Sequence, residues 1–406
     1  MQLRAPIGAL VLLVAVAAHA PARADSGMTV AATYFHESGG PLSMNVVTPA
    51  VNLGVDLDDD VTLAAEYEAD IVSGASVAVV DAPAASVDAI TSATKLTDTR
   101  HTGGGSLQVR GEQTSMTLRY RYGTESDYRS HGLGVSGRAE MFERNTAFEL
   151  SYARGFDRVC NVSQPRAQEA VDRRRLDASD GCFADDDDQP RISERLSIQT
   201  VQGTWTQAWA PILTTQVTLT AQLLSGQQGN PYRAVWLGRT SAQEHHPHER
   251  TRYAAGLGAR LWIRPLSGAL QLEGRVYRDT WGIESVTGEA GYEQSVGEGL
   301  RLRVRGRYYT QTGAVFFSDD YALRPAGQYF TGDRELSPMQ SVTLGGRITW
   351  SVPADEEGDV LGFLTQLDLV AKADYIMHTF DEFHYGRADV PNTDALLVTL
   401  ALESVF

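Results

Sequence analysis

Past its first two dozen residues, the chain has no apolar run near the roughly 20 residues that a membrane-spanning helix needs. It also has no linker rich in proline, glycine or serine, which argues for one large domain over a string of small ones. Lysine is nearly absent: Lys95 and Lys372 are the only two, so 35 basic residues less two leaves 33 arginines. There are two cysteines and no C-x-x-C or C-x-x-C-H, which leaves no signature of a redox pair or of covalent haem. No G-x-S-x-G is present, and nothing sets a histidine beside the small-residue turn Ser73-Gly74-Ala75-Ser76. Positive charge is outnumbered, with a formal net charge of −16, which argues against a nucleic-acid partner. The expectation is a protein that is neither an enzyme nor a carrier of a resident cofactor. A missing spanning helix does not make the chain soluble, because the strands of a membrane barrel are only half apolar.

The amino terminus points to a compartment. Arg4 supplies a positive start, Ile7 to Ala18 is an apolar run too short to span a bilayer, and Ala22-Arg23-Ala24 offers a cleavage site. Residues 1–24 therefore read as a secretory signal peptide, with residues 25–406 as one domain. Loss of Arg4 and Arg23 would take the charge from −16 to −18.

What fills the rest of the chain is alternation. In residues 300–309, Leu300, Leu302, Val304 and Tyr308 interleave with Arg301, Arg303, Arg305 and Arg307, and a period of two puts the two sets on opposite faces of a strand. The pattern recurs over 28–37, 43–56, 60–72, 102–112, 114–125, 128–141, 145–157 and 192–208. It continues over 212–225, 249–264, 268–281, 283–297, 299–312, 339–352, 360–377 and 394–406, with the phase least clear in 192–208. These make about sixteen strands, an even number, as bacterial single-chain barrels require. Every long connection (73–101, 158–191, 226–248, 313–338 and 378–393) follows an odd strand, and the connections after even strands are short. That asymmetry is the outer-membrane one, with short periplasmic turns and long extracellular loops. The fold class expected is all-β: a transmembrane antiparallel up-and-down barrel in the cell outer membrane, its apolar face against lipid. The last strand ends at Phe406, resembling the carboxy-terminal signal read by the barrel assembly machinery. A secreted sandwich with an edge strand ending in Phe is the competing reading.

Several groups are candidates for chemistry. Glu66, Glu68 and Asp70 form an acidic ladder on the lumen face, and Arg119, Arg121, Arg301, Arg303, Arg305 and Arg307 are basic groups there. Opposed ladders would set a transverse field that selects ions or small polar solutes; alternatively the charges pair with one another and hold the wall. Cys160 and Cys182, both in one long loop, most simply form a disulfide. Asp185 to Asp188, with Asp180, are dense in carboxylate but lack the spacing of a known calcium loop. His245, His246 and His248 in the 226–248 loop could grip zinc or copper. So could His378 and His384, with Asp381 and Glu382. An ordinary solvated surface is the competing reading for all of these.

A series of phrases carries a family resemblance. In order they are Glu68-Ala69-Asp70-Ile71-Val72-Ser73-Gly74-Ala75-Ser76, Asp98-Thr99-Arg100, Gly229-Asn230-Pro231-Tyr232-Arg233 and Glu249-Arg250-Thr251-Arg252. Tyr277-Arg278-Asp279-Thr280-Trp281-Gly282-Ile283, Arg307-Tyr308-Tyr309-Thr310-Gln311 and Asp333-Arg334-Glu335-Leu336-Ser337 complete the set. Together they resemble the bacterial family known as domain of unknown function 3570, over nearly the whole domain. The resemblance implies an outer-membrane-type barrel without a settled function. Some relatives are encoded near thioredoxin-like and flavin-transfer proteins, and the resemblance thus hints at a redox or metal-handling partner at the surface or in the periplasm. The cysteine-containing loop lies outside the shared pattern. Most phrases fall at the loop ends of strands. Arg278, Asp279, Trp281, Tyr309, Asp333 and Arg334, with Arg307, would form a collar inside the mouth, either as a structural clasp or as a ligand site. The function expected is a porin-like channel for small hydrophilic solutes or ions, with a homo-oligomer suggested only by analogy to trimeric porins.

Overall fold

The structure is a computed structural model. It describes residues 26–39, 42–74, 96–125, 127–162, 191–229, 234–237, 241–318, 321, 324, 326–353, 360, 362, 364–380, 384–385, 388–389 and 392–406. The elements run β1 (Gly27–Gly39), β2 (Leu42–Asp56), β3 (Val61–Gly74), β4 (Leu96–Arg110), β5 (Thr114–Thr124), β6 (Tyr128–Met141) and β7 (Thr146–Val162). Then come β8 (Arg191–Ala210), β9 (Leu213–Gly226), β10 (Ala234–Trp236), β11 (Ser241–Gln243), β12 (Glu249–Ile263), β13 (Gly268–Asp279) and β14 (Glu284–Val296). The chain ends with β15 (Leu300–Gln311), β16 (Met339–Ser351), β17 (Gln366–Thr379), β18 (His384–Tyr385), β19 (Ala388–Asp389) and β20 (Thr393–Val405). Sixteen of these close one antiparallel barrel, β1 through β9, β12 through β17, then β20, and the ring is sealed by β20 pairing with β1 from Gly27↔Val405 to Ser38↔Asp394. β10–β11 and β18–β19 are small hairpins in the loops.

Strict alternation makes the barrel. On β5, Met116, Leu118 and Tyr120 are exposed on the outer face, while Arg119 and Arg121 take the lumen face. Across the register the same parity holds for Leu133 on β6, Leu150 on β7, Leu219 on β9, Leu257 on β12, Val304 on β15 and Leu400 on β20, each 55–63% exposed or, for Leu118, 48%. An exposed apolar band around the whole ring is the opposite of a water-soluble sandwich, whose apolar faces are buried.

Towards the loop rim the band ends in tyrosines whose hydroxyls bond to a polar side chain on the next strand. Tyr34 donates to Asn45 (2.7 Å), Tyr67 and His101 are 2.9 Å apart, Tyr120 and His131 are 2.9 Å apart, and Tyr308 donates to Gln340 (3.0 Å). A ring with an apolar body and a satisfied polar tip suits an apolar–water boundary.

The sixteen expected strands are the sixteen barrel strands, with three boundary differences, of which one is that β7 runs on to Val162, past 157. β4 begins at Leu96, not near 102, and pairs with β3 up to Gly74↔Leu96. Beyond the apolar band both faces of a strand are polar, so the alternation that marks a strand fades before the strand does. β17 begins at Gln366, not near 360. The apolar residues before it form a small bridge, Val360↔Leu364, that packs with Phe406, Met28 and Leu53 and covers the turn rim.

Candidate functional site

The lumen wall is built from rows of registered residues, and two glycines decide how its charges meet. Arg121, Gly104 and Glu66 lie side by side on β5, β4 and β3. Because Gly104 has no side chain, Arg121 reaches over it to Glu66 (3.5 Å) and Glu68 (2.5 Å). A Cβ on Gly104 would fall 2.8 Å from Glu66 Oε1. The same device recurs on the row Arg305, Gly345, Asp374 of β15, β16 and β17. Arg305 Nε donates to Asp374 Oδ1 at 2.9 Å, and a Cβ on Gly345 would fall 1.9 Å from that oxygen.

The remaining ladder charges are tied into the same wall. Arg305 also meets Glu289 (3.2 Å), Arg303 lies 3.7 Å from Glu289, Arg301 bonds Asp368 (3.1 Å), Lys372 meets Asp374 (2.9 Å) and Thr48 donates to Asp70 (2.6 Å). The acidic ladder of β3 and the basic ladder of β15 therefore do not face each other as bare opposed fields. Each is laced by counter-charges from strands one or two away. Arg119 and Arg307 are exposed on the lumen parity. Between the charged arcs, β8 and β9 present a neutral sector in which Gln216, Thr220 and Gln222 bond to Thr206, Gln202 and Thr200.

At the loop rim two buried ionic clasps draw chain over the lumen. Asp279, on the lumen face of β13, takes two donors from Arg250 of β12, through Nε at 2.8 Å and through Nη2. It accepts Tyr277 OH at 2.7 Å and the backbone N–H groups of Trp281 (2.9 Å) and Ile283 (3.0 Å). The Arg250 guanidinium lies 4.1 Å over the Trp281 ring. Trp281 and Ile283 then bury against Ala314, Phe317, Leu336 and Phe380. The second clasp joins Arg334 to Glu37 of β1 (2.5 Å) beside Thr393 of β20, at the seam that closes the barrel. Arg334 and Glu37 side chains are each 8% exposed. Between the clasps, the 312–338 and 227–248 segments pair through His245↔Phe330, and Thr331 donates to the buried Glu244 (2.9 Å). Burial pushes the Tyr321 hydroxyl of this layer up to about 12, and that hydroxyl donates to the Phe316 and Thr331 carbonyls.

The structure places the sequence candidates unevenly. Asp279, Trp281 and Arg334 are in the clasps. Asp333 caps the turn 334–336 by accepting Glu335 N–H (2.9 Å). Tyr309 donates to Gln311, which in turn bonds the Glu335 and Ser337 carbonyls. Arg278 is a correction: one residue before Asp279, it points away from the lumen, 77% exposed, and lies 3.6 Å from Glu284. His245, His246 and His248 do not converge. Their Nδ1 atoms approach three different carbonyls, those of Gln328, Gln228 and Gly226, and among the described residues no three His, Cys, Asp or Glu side chains gather for a metal. Cys160 is buried and disulfide-bonded, whereas Cys182, Asp180, Asp185–Asp188, Asp381 and Glu382 lie outside the described residues, as do residues 1–24. Arg250, Glu37 and Thr393 were not singled out in the sequence. Glu249-Arg250-Thr251-Arg252 already marked one of them, but nothing local pairs Arg250 with a carboxylate 29 residues on.

The family described as "Protein of unknown function (DUF3570)" matches residues 7–361. The chain belongs to this family. Among curated proteins none matches the sequence. Among solved structures, the fold is similar to one titled a bacterial polysaccharide outer membrane secretin. That likeness has 9% identity and a TM-score of 0.50, covering 95% of this chain and 100% of that one. It is also similar, at 9% identity and a TM-score of 0.41, to OprD of Pseudomonas aeruginosa, over 96% of this chain and 98% of that one. At 9% identity the first of these likenesses extends to the barrel architecture.

Proposed function

We propose that this DUF3570 protein is an outer-membrane channel for small hydrophilic solutes, with its mouth narrowed by the clasped loop layer. The observation that carries the reading is the pairing of an exposed apolar band outside with a polar, internally ion-paired wall inside. A 16-stranded ring of this kind leaves room for water. A wall whose charges are neutralised laterally presents dipoles and hydrogen-bonding groups rather than a single-sign field. That suits uncharged or zwitterionic polar solutes and gives weak ion preference. The chain acts by passage, without catalytic turnover.

The experiment is single-channel recording of the refolded protein in a planar bilayer. Steady, salt-dependent steps are expected, with near-equal cation and anion permeability. A heat-modifiable, folded barrel that stays silent and passes no sugar or amino acid in liposome swelling would overturn it. That result would favour a plugged scaffold that docks a partner.

A further inference from the structure

We infer that a trough in the lumen wall of β9, β12 and β13, beneath the mouth layer, binds a zwitterionic solute of the α-amino-acid type, its carboxylate on Arg275 and its ammonium on Glu273. The inference rests on the channel reading above and names its solute class. Glycines make the trough. Gly104 and Gly345 each let an arginine reach across to a carboxylate two strands away. Gly256 and Gly258 stand in rows of the same kind on β12. Arg275, Gly256 and Thr218 lie side by side on β13, β12 and β9, and Glu273, Gly258 and Gln216 do so one step below. Beyond these two glycines lie a hydroxyl and an amide, so the charged groups find no counter-charge across them.

Arg275 and Glu273 share the lumen parity of Asp279, and both are exposed. Neither is in an ion pair or hydrogen bond among the described residues. The charged groups around them are already engaged. Arg252 bonds Gln222 (3.1 Å), Arg260 lies 3.6 Å from Glu293, and Glu289, the cross-strand neighbour of Glu273, meets Arg305 and Arg303. Above them, Tyr277 donates to Asp279 in the clasp. Arg307 is exposed on β15, with Glu289 between it and Glu273.

The spacing and the space suit one class of solute. Two residues apart on one strand face, the backbones of Arg275 and Glu273 are separated by about 6.7 Å. A guanidinium fork takes a carboxylate through parallel donors, and a glutamate takes an ammonium. An α-amino acid carries both groups on one carbon and fits between the two heads. A Cβ on Gly256 would meet only backbone oxygens, at 3.8 and 4.0 Å, so the trough beside Arg275 is open. Because the two charges cancel, such a site adds no ion preference to the lumen.

The test is saturation-transfer NMR on the full-length refolded barrel in detergent, with L-alanine, L-lactate and isopropylamine as probes. L-lactate lacks the ammonium and isopropylamine lacks the carboxylate. L-alanine should bind at least about tenfold tighter than either, the scale of one charge-assisted contact. Arg275→Gln should bring L-alanine down to the level of isopropylamine, and Glu273→Gln down to the level of L-lactate. Gly256→Val keeps both charges but fills the trough, and should also remove the preference. Heat-modifiability checks that each variant is folded. Absent or equal binding of the three probes, or an alanine preference that survives in folded Arg275→Gln, would overturn the inference. So would an equal loss in Arg119→Gln, which removes an exposed lumen arginine six strands away around the ring, because the charges would then act through the lumen as a whole. The channel reading fails separately, if the barrel binds L-alanine yet shows neither conductance nor solute flux.

Discussion

At the scale of single residues, the molecule depends on a few polar groups held out of water. Asp279 is the clearest: its side chain has no exposed surface and is shared among Arg250, Tyr277 and two backbone donors. Breaking a buried ion pair by removing one partner leaves an unpaired charge, at a cost of about 3–5 kcal/mol. Arg250→Met should therefore loosen the mouth layer while leaving the barrel strands intact. Protease should cut within residues 312–338 in Arg250→Met and not in the parent protein. Tyr321 makes the layer sensitive to alkali. Its folded pKa of about 12 stands above the usual value of 10, so its contribution is fully present below pH 10 and is lost as pH rises through 12. The full contribution is on the order of 3 kcal/mol. Loop proteolysis should increase between pH 10 and 12, and less steeply in Tyr321→Phe.

At the scale of strands and loops, what was legible in the sequence follows from where the apolar band lies. All sixteen barrel strands show in the alternation because each crosses that band, where neighbouring residues meet opposite environments. Leu96 to Arg100 and Val159 to Val162 extend their strands past the band, where one face no longer meets an apolar surround and period two vanishes. The collar was half legible: phrases such as Asp279–Ile283 and Asp333–Ser337 mark the right rim, but Arg278 and Asp279 differ by one step and thus by one whole face. The partner of Asp279 lies across the β12–β13 hairpin, 29 residues back, whereas that of Arg334 is brought near only by closure of the ring, Glu37 being 297 residues away. The glycine-spanned ion pairs are the element-scale feature most open to test. In Gly345→Ala a methyl group would meet Asp374, so Arg305 and Asp374 must part. With Arg305 no longer held across the glycine, stability to guanidinium should fall by about 1–3 kcal/mol, whereas Gly274→Ala, which meets nothing within 4 Å, should be near neutral.

At the scale of the whole molecule, the two halves of the structure make different demands. The wall carries arcs of laterally paired charges on either side of a neutral β8–β9 sector, while the mouth is a layer of loops fixed at two points, the Arg250–Asp279 clasp over β12–β13 and the Arg334–Glu37 clasp at the seam. On the proposed channel reading, a layer held at both ends narrows the lumen only while both clasps hold, so conductance should report the clasps and ion preference should report the wall. Arg334→Gln leaves Glu37 buried without its counter-charge and should raise single-channel conductance with little change in ion selectivity. Glu68→Gln, on the wall below, should do the reverse: it leaves the Arg121 guanidinium with Glu66 as its one carboxylate partner there and shifts permeability towards anions at low salt, with conductance nearly unchanged. Recording both variants in the same bilayer separates the two roles. If Arg334→Gln alters selectivity and leaves conductance unchanged, the loop layer is not the constriction.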